Sequence, residues 1–130
     1  MSETNLSSLI KSMKPRLNPG VFVFVTIPPG TAIPGGVAPI MMFQEAEGLT
    51  LIAHREQAGA AGLAQGFPSR MITLDVHSSL EAVGFLAVVT ARLAEAGIAV
   101  NPVSAFHHDH LFVPEARADE AMAILGAMAA

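Results

Sequence analysis

MITLDVHSSLEAVG, residues 71–84, decides the reading of this chain, because it carries a strand signal straight into the start of a helix. Ile72, Leu74 and Val76 alternate with Thr73 and Asp75, the period-two pattern of a strand with one buried face. Ser78 stands three positions before Glu81, the spacing of a capping box, in which hydroxyl and carboxylate each satisfy an unpaired amide of the first helical turn. A helix is therefore predicted over residues 80–96, with Val83, Leu86, Thr90 and Leu93 on its inner face and Gly97 at its end. Where a strand runs into a helix N-terminus, spare amides and the helix dipole favour negatively charged groups.

Working outward, Leu6, Leu9, Ile10 and Met13 recur at helical spacing, and Pro15 ends that helix. Gly20 introduces VFVFVTI, residues 21–27, a run too continuous for a half-exposed strand and expected to be buried on both faces. PPGTAIPGG, residues 28–36, is a loop by composition. Residues 40–44 and 49–53 read as strands joined through EAEG into a hairpin. A short helix over residues 54–63 stops at Gly62 or Gly66 and precedes the strand at 71–76. Strands over 98–105 and 110–113 lead to a last helix with Ala118, Met122, Leu125 and Met128 or Ala129 facing inward.

The resulting order, αβββαβαββα, predicts an α+β layer structure with helices on one face of a mostly antiparallel sheet. From Met71 onward the order βαββα is a ferredoxin-like unit lacking its last strand, which the first half of the chain is free to supply. Residues 20–63 read βββα, so the arrangement is pseudo-duplicated.

Composition narrows the function. One hundred and thirty residues suit one ordinary domain, or two very small ones sharing a core. At 52% hydrophobic and 14% charged residues the chain is expected to fold. A net charge of −4, with seven scattered Lys and Arg residues, argues against nucleic acid as a partner. The absence of cysteine excludes disulfides and thiolate metal sites and suits a reducing compartment. The start MSETNLSSLIK lacks the features of a secretory signal, and the apolar stretch 82–91, between Glu81 and Arg92, is too short to span a bilayer. A soluble cytoplasmic protein, without membrane association, is expected.

Two clusters invite a chemical reading. His107, His108, Asp109 and His110 are all metal-ligating types, but on a strand His108 and His110 take one face while His107 and Asp109 take the other. The cluster lies where a hairpin should turn, with Asp109 a natural turn residue, so exposed histidines on a turn are expected and no metal site. Ser78 or Ser79 beside His77 does not make an activated hydroxyl, since sequence neighbours rarely reach the required geometry and no GxSxG turn is present. The glycines of residues 28–36 are not followed by the Lys-Ser/Thr of a phosphate loop, and His54 and Arg55 are expected to face solvent at a helix start. Neither catalysis nor a cofactor is expected.

VFVF, FQEAEGLTLI, MITLDVHSSLEAVGFLA, GIAVN and SAFHHDHLFVP together resemble a bacterial family of small tandem ACT-domain proteins, over about residues 6–125. The resemblance implies a ferredoxin-like ACT fold in two units, residues 1–69 and 70–130, with strands shared across the boundary. ACT domains elsewhere bind amino acids and regulate aspartate kinases and other amino-acid enzymes, holding ligand between paired units at the first strand-to-helix loop. Carried onto this chain, that loop is His77, Ser78, Ser79, Leu80 and Glu81, with Gly84 permitting close approach and Asn101, Ala105 and Phe106 on the strand beside it. An amino acid needs amide donors for its carboxylate and acceptors for its ammonium; Asp75, Glu81 and Asp109 are the acceptor candidates. Two functions follow: an amino-acid-binding regulatory module, acting as a homodimer or on a partner enzyme, and a ligand-free interaction module that only pairs with other chains.

Overall fold

Residues 5–130 are described by the computed structural model; the polar start at residues 1–4 lies outside the described residues. In chain order the elements are α1 (Leu6–Ser12), β1 (Lys14–Leu17), β2 (Phe22–Ile27), β3 (Met41–Glu45), β4 (Gly48–His54), α2 (Arg55–Ala60) and β5 (Gln65–Asp75). Then come α3 (Phe85–Glu95), β6 (Asn101–Ser104), β7 (Asp109–Pro114), a short 3-10 turn (Glu115–Arg117) and α4 (Ala118–Ala129). The fold is α+β with two ferredoxin-like units, as expected.

By contacts, residues up to Pro19 group with Arg70–Ala130, and Gly20–Ser69 form the other unit. In the first of these the strand order is β1, β5, β7, β6. β1 pairs antiparallel with β5, Lys14 opposite Asp75 and Leu17 opposite Ile72, and so supplies the strand that the order from Met71 onward lacked. Pro15 does end the first helix, as expected, yet it sits inside a strand, at a sheet edge where a missing amide is tolerated. α1 begins at Asn5, whose side chain accepts the Ser8 amide at 3.0 Å.

The helices of this unit cover one sheet face. Leu9 from α1, Met13 just after it, Ile72 and Leu74 from β5, Leu111 and Val113 from β7, and Leu93 and Leu125 from α3 and α4 form one buried cluster. On α4 the innermost residues are Ala118, Ala121 and Leu125; Met122 and Met128 pack at the margin rather than in the centre.

In the second unit the order is β3, β4, β2 and the first part of β5. β3 and β4 form the expected hairpin, closing on Glu45 opposite Gly48. Val23, Val25, Ile27, Leu51 and Ala53 pack under Ala58 of α2 and Val37 of the long loop. The loop replaces a helix on that face, and the Gln57 side chain accepts the Ala38 amide at 2.9 Å to hold it against α2. β2 is less symmetric than its sequence suggested: Phe22, Val23, Val25 and Ile27 are buried, but Thr26 is exposed. Among the described residues no helix is long and apolar enough to cross a membrane.

Candidate functional site

The capping box read at Ser78 and Glu81 does not form. β5 ends at Asp75, and the chain descends through tight turns, with Ser78 N donating to Val76 O at 3.0 Å and Ala82 N to Ser79 O at 3.0 Å. Ser79, not Ser78, makes the local side-chain contact, its Oγ accepting the Glu81 amide at 3.0 Å. The helix starts only at Phe85, after Gly84 at φ 90°, a left-handed conformation that glycine adopts without a Cβ penalty. This late start corrects the expected inner face: Phe85, Val89 and Leu93 are buried, whereas Val83 precedes the helix and is 86% exposed. Among the described residues no side chain caps α3, whose first amides have no intrahelical acceptor and whose first residues, Phe85, Leu86 and Ala87, line a cleft.

The opposite wall comes from the β6–β7 hairpin. Asp109 is the first residue of β7, opposite Ser104 in register, and not the turn residue the sequence suggested. The turn is made by residues 105–108, closed by Ala105 N donating to His108 O at 3.0 Å. Asp109 shares a face with Leu111 and Val113, so its carboxylate points to the helix side and is only 8% exposed. Ser104 Oγ donates to its Oδ1 at 2.6 Å and Ser78 Oγ to its Oδ2 at 3.4 Å.

Together these walls enclose a cleft of about 160 Å³. That is well under the roughly 300–1,000 Å³ of sites for drug-sized molecules, so the cleft suits a small group. Of the expected ligand residues, Ser78, Ser79, Leu80, Gly84 and Ala105 line it. His77, Glu81, Asn101 and Phe106 do not: His77 lies edge-on to His108, 5.4 Å between ring centroids, and Asn101 is exposed opposite Phe112. Glu81 is exposed, and Phe106 is 79% exposed on the hairpin turn. Of the three acceptor candidates only Asp109 reaches the cleft, while Asp75 sits 3.2 Å from His108. Ser104 and Phe85 were not anticipated; the alternation of Asp109, Leu111 and Val113 is the signal that points to this wall.

Chemically, the cleft sets a nearly buried carboxylate and hydroxyls against the first turn of α3, an acceptor end and a donor end. Among the described residues no group of three or more His, Asp or Glu is placed to hold a metal ion. Ser104→Ala removes the short bond to Asp109 and, among the described residues, leaves the buried carboxylate the longer Ser78 contact. The expected loss is about 1–3 kcal/mol in urea unfolding, with Ser78→Ala costing less.

Residues 1–70 match one ACT domain family and residues 67–127 match another. The structure is similar to that of a Vibrio cholerae protein of unknown function, described as a possible transport protein, at 41% identity and TM-score 0.87 with 96% of each chain covered. It is also similar to an Agrobacterium tumefaciens protein, at 17% identity and TM-score 0.75 over 90% of this chain and 89% of the other. The ligand-free regulatory subunit of aspartate kinase from Thermus thermophilus shares 12% identity at TM-score 0.67, over 92% of this chain and 97% of its own. The last two are likenesses of fold. No curated protein matches the chain.

Proposed function

The chain belongs to the ACT domain family, and from that premise we propose that it is a regulatory protein that binds a small amino acid in the cleft at Asp109. One observation carries the reading: a carboxylate 8% exposed, held by two serine hydroxyls, faces the uncapped start of α3 across a cleft of about 160 Å³. An α-ammonium is the group that such a carboxylate attracts, and an α-carboxylate is the group that the α3 amides attract. The match to ACT domains supports binding rather than turnover as the reading.

In chain order the proposed ACT units are residues 1–69 and 70–130, with β1 given to the later one. A homodimer is part of the proposal: Leu80, Val83 and Phe106 are 66%, 86% and 79% exposed, large apolar side chains of the kind that pairing covers. A cysteine-free chain suits the reducing cytoplasm in which an amino-acid regulator would work. The same exposed residues favour the second reading, an interaction module without a ligand.

Titration calorimetry with the twenty amino acids separates the two. The first reading expects heat from one or a few small amino acids and none from the matching amine without its carboxylate or acid without its ammonium. Silence from all twenty, in a protein that light scattering still finds dimeric, leaves the interaction module.

A further inference from the structure

The helix-free face of β5 and β7 carries a polar network that the cleft does not use. Arg16 Nη1 donates to Asn18 Oδ1 at 2.9 Å, which fixes the orientation of the Asn18 amide. The Asn18 Nδ2 hydrogens then go to Met71 O at 3.0 Å and to Thr73 Oγ1 at 2.8 Å. Thr73 Oγ1 lies 2.9 Å from His110 Nδ1. The Thr73 oxygen can accept from two donors at once, but among the described residues His110 Nδ1 is the acceptor within reach of the Thr73 proton, and a buried hydroxyl proton left without an acceptor is costly. Nδ1 is therefore the acceptor, and the ring is neutral with its proton on Nε2.

Protonation of Nδ1 reverses that contact. The ring becomes a donor there, and the Thr73 hydroxyl, 2% exposed, loses the acceptor for its proton. The groups around the ring give the new charge little support. Next to it in the chain are His108, in the hairpin turn and 6.5 Å away between centroids, and Asp109, whose carboxylate serves the opposite face. From β1 come Arg16 and Lys14, from β5 Asp75, which lies 3.2 Å from His108, and His77 stands beyond His108.

We propose that His110 is a proton-operated latch on β1: neutral, it completes the chain through Thr73 to Asn18 that pins the end of β1 to β5, and protonated, it releases that end. Asn18 is the pin, because its backbone amide also donates to Met71 O at 2.9 Å. Burial, then the His108 charge, hold the His110 imidazolium below the ordinary value of 6.5, with Arg16 adding to the effect and Asp109 opposing it. A histidine depressed in the folded state binds fewer protons there than when unfolded, so the stability it contributes is intact above about pH 6.5 and falls as pH drops towards its folded value. The latch does not depend on any ligand.

Nitrogen-resolved NMR of the histidine rings in the full chain, from about pH 7.5 to about pH 5, tests it, with hydrogen exchange of the Asn18 amide measured alongside. The expected result is a neutral His110 with an unprotonated Nδ1, a midpoint below 6.5, and Asn18 protection that falls by up to about tenfold per pH unit between the two values. Thr73→Val should move the midpoint towards 6.5 and flatten the pH dependence at Asn18. A neutral ring protonated on Nδ1, a wild-type midpoint at or above 6.5, or Asn18 protection indifferent to pH overturns the latch. The tautomer and midpoint are read on the wild type, so the test survives a variant that fails to fold.

Discussion

Gly48→Ala is expected to be among the most damaging single-methyl additions to the chain. Gly48 opens β4 at the tip of the β3–β4 hairpin with φ 153°, and a Cβ built there lies 2.5 Å from the Ile27 carbonyl oxygen, backbone that has no rotamer to escape into. Relief requires the hairpin tip to move away from β2, where Ile27 pairs with Leu49 and where Ile27 is buried. Combining strained backbone with overpacking, the loss should be roughly 2–5 kcal/mol in urea unfolding. Gly62→Ala is the control. It also places a side chain at positive φ, 70°, but nothing lies within 4 Å, so only about 1 kcal/mol is expected. Equal losses at the two positions would show that the Ile27 contact is not what demands glycine at Gly48.

A chain beginning at Gly20 is expected to lose the unit that contains the cleft, although every cleft residue remains. The first nineteen residues carry Leu9 and Met13, both fully or almost fully buried in the cluster with Leu74, Leu93 and Leu125, and β1, which covers the edge of β5. Removing two such side chains costs about 2–5 kcal/mol each, and a domain's whole stability is about 5–15 kcal/mol. The helical signal of α3 and α4 should fall and the cooperative transition should vanish or move well below that of the full chain. Adding a peptide of residues 5–19 should restore part of it. A truncated chain with an unchanged transition would mean that α1 and β1 are accessory to this unit.

The hydrophobic periodicities carried the fold as far as its layers. VFVFVTI, the EAEG hairpin, the alternation before Asp75 and the last amphipathic helix are all present within a few residues of their expected positions. β1 was missed because KPRL has only four residues and its proline, informative about the end of α1, says nothing about pairing with a segment more than fifty residues away. The capping-box spacing misled for a related reason. Ser78 and Glu81 satisfy a local rule, but Gly84 at positive φ and the buried Phe85 set the helix start, and Ser78 is drawn instead to Asp109. Asp109 itself is a fair turn residue by type; only its pairing with Ser104 and its common face with Leu111 and Val113 make it a wall of the cleft. Tertiary pairing decided each of these positions, and pairing is what local pattern does not encode.

The central claim is that the Asp109 carboxylate receives the ammonium of a small amino acid. Asp109→Asn keeps the shape and lets the amide hydrogen-bond the Ser104 hydroxyl, so it removes the charge with little change of packing. The most direct measurement is thermal unfolding of the wild type and of Asp109→Asn with each amino acid at millimolar concentration. A ligand at about 100 times its dissociation constant adds about 2.7 kcal/mol to the folded state. The wild type should rise in Tm with one or a few small amino acids, and Asp109→Asn should not respond to any of them. A wild type that no amino acid stabilises, or a variant that responds as fully as the wild type, would contradict the account.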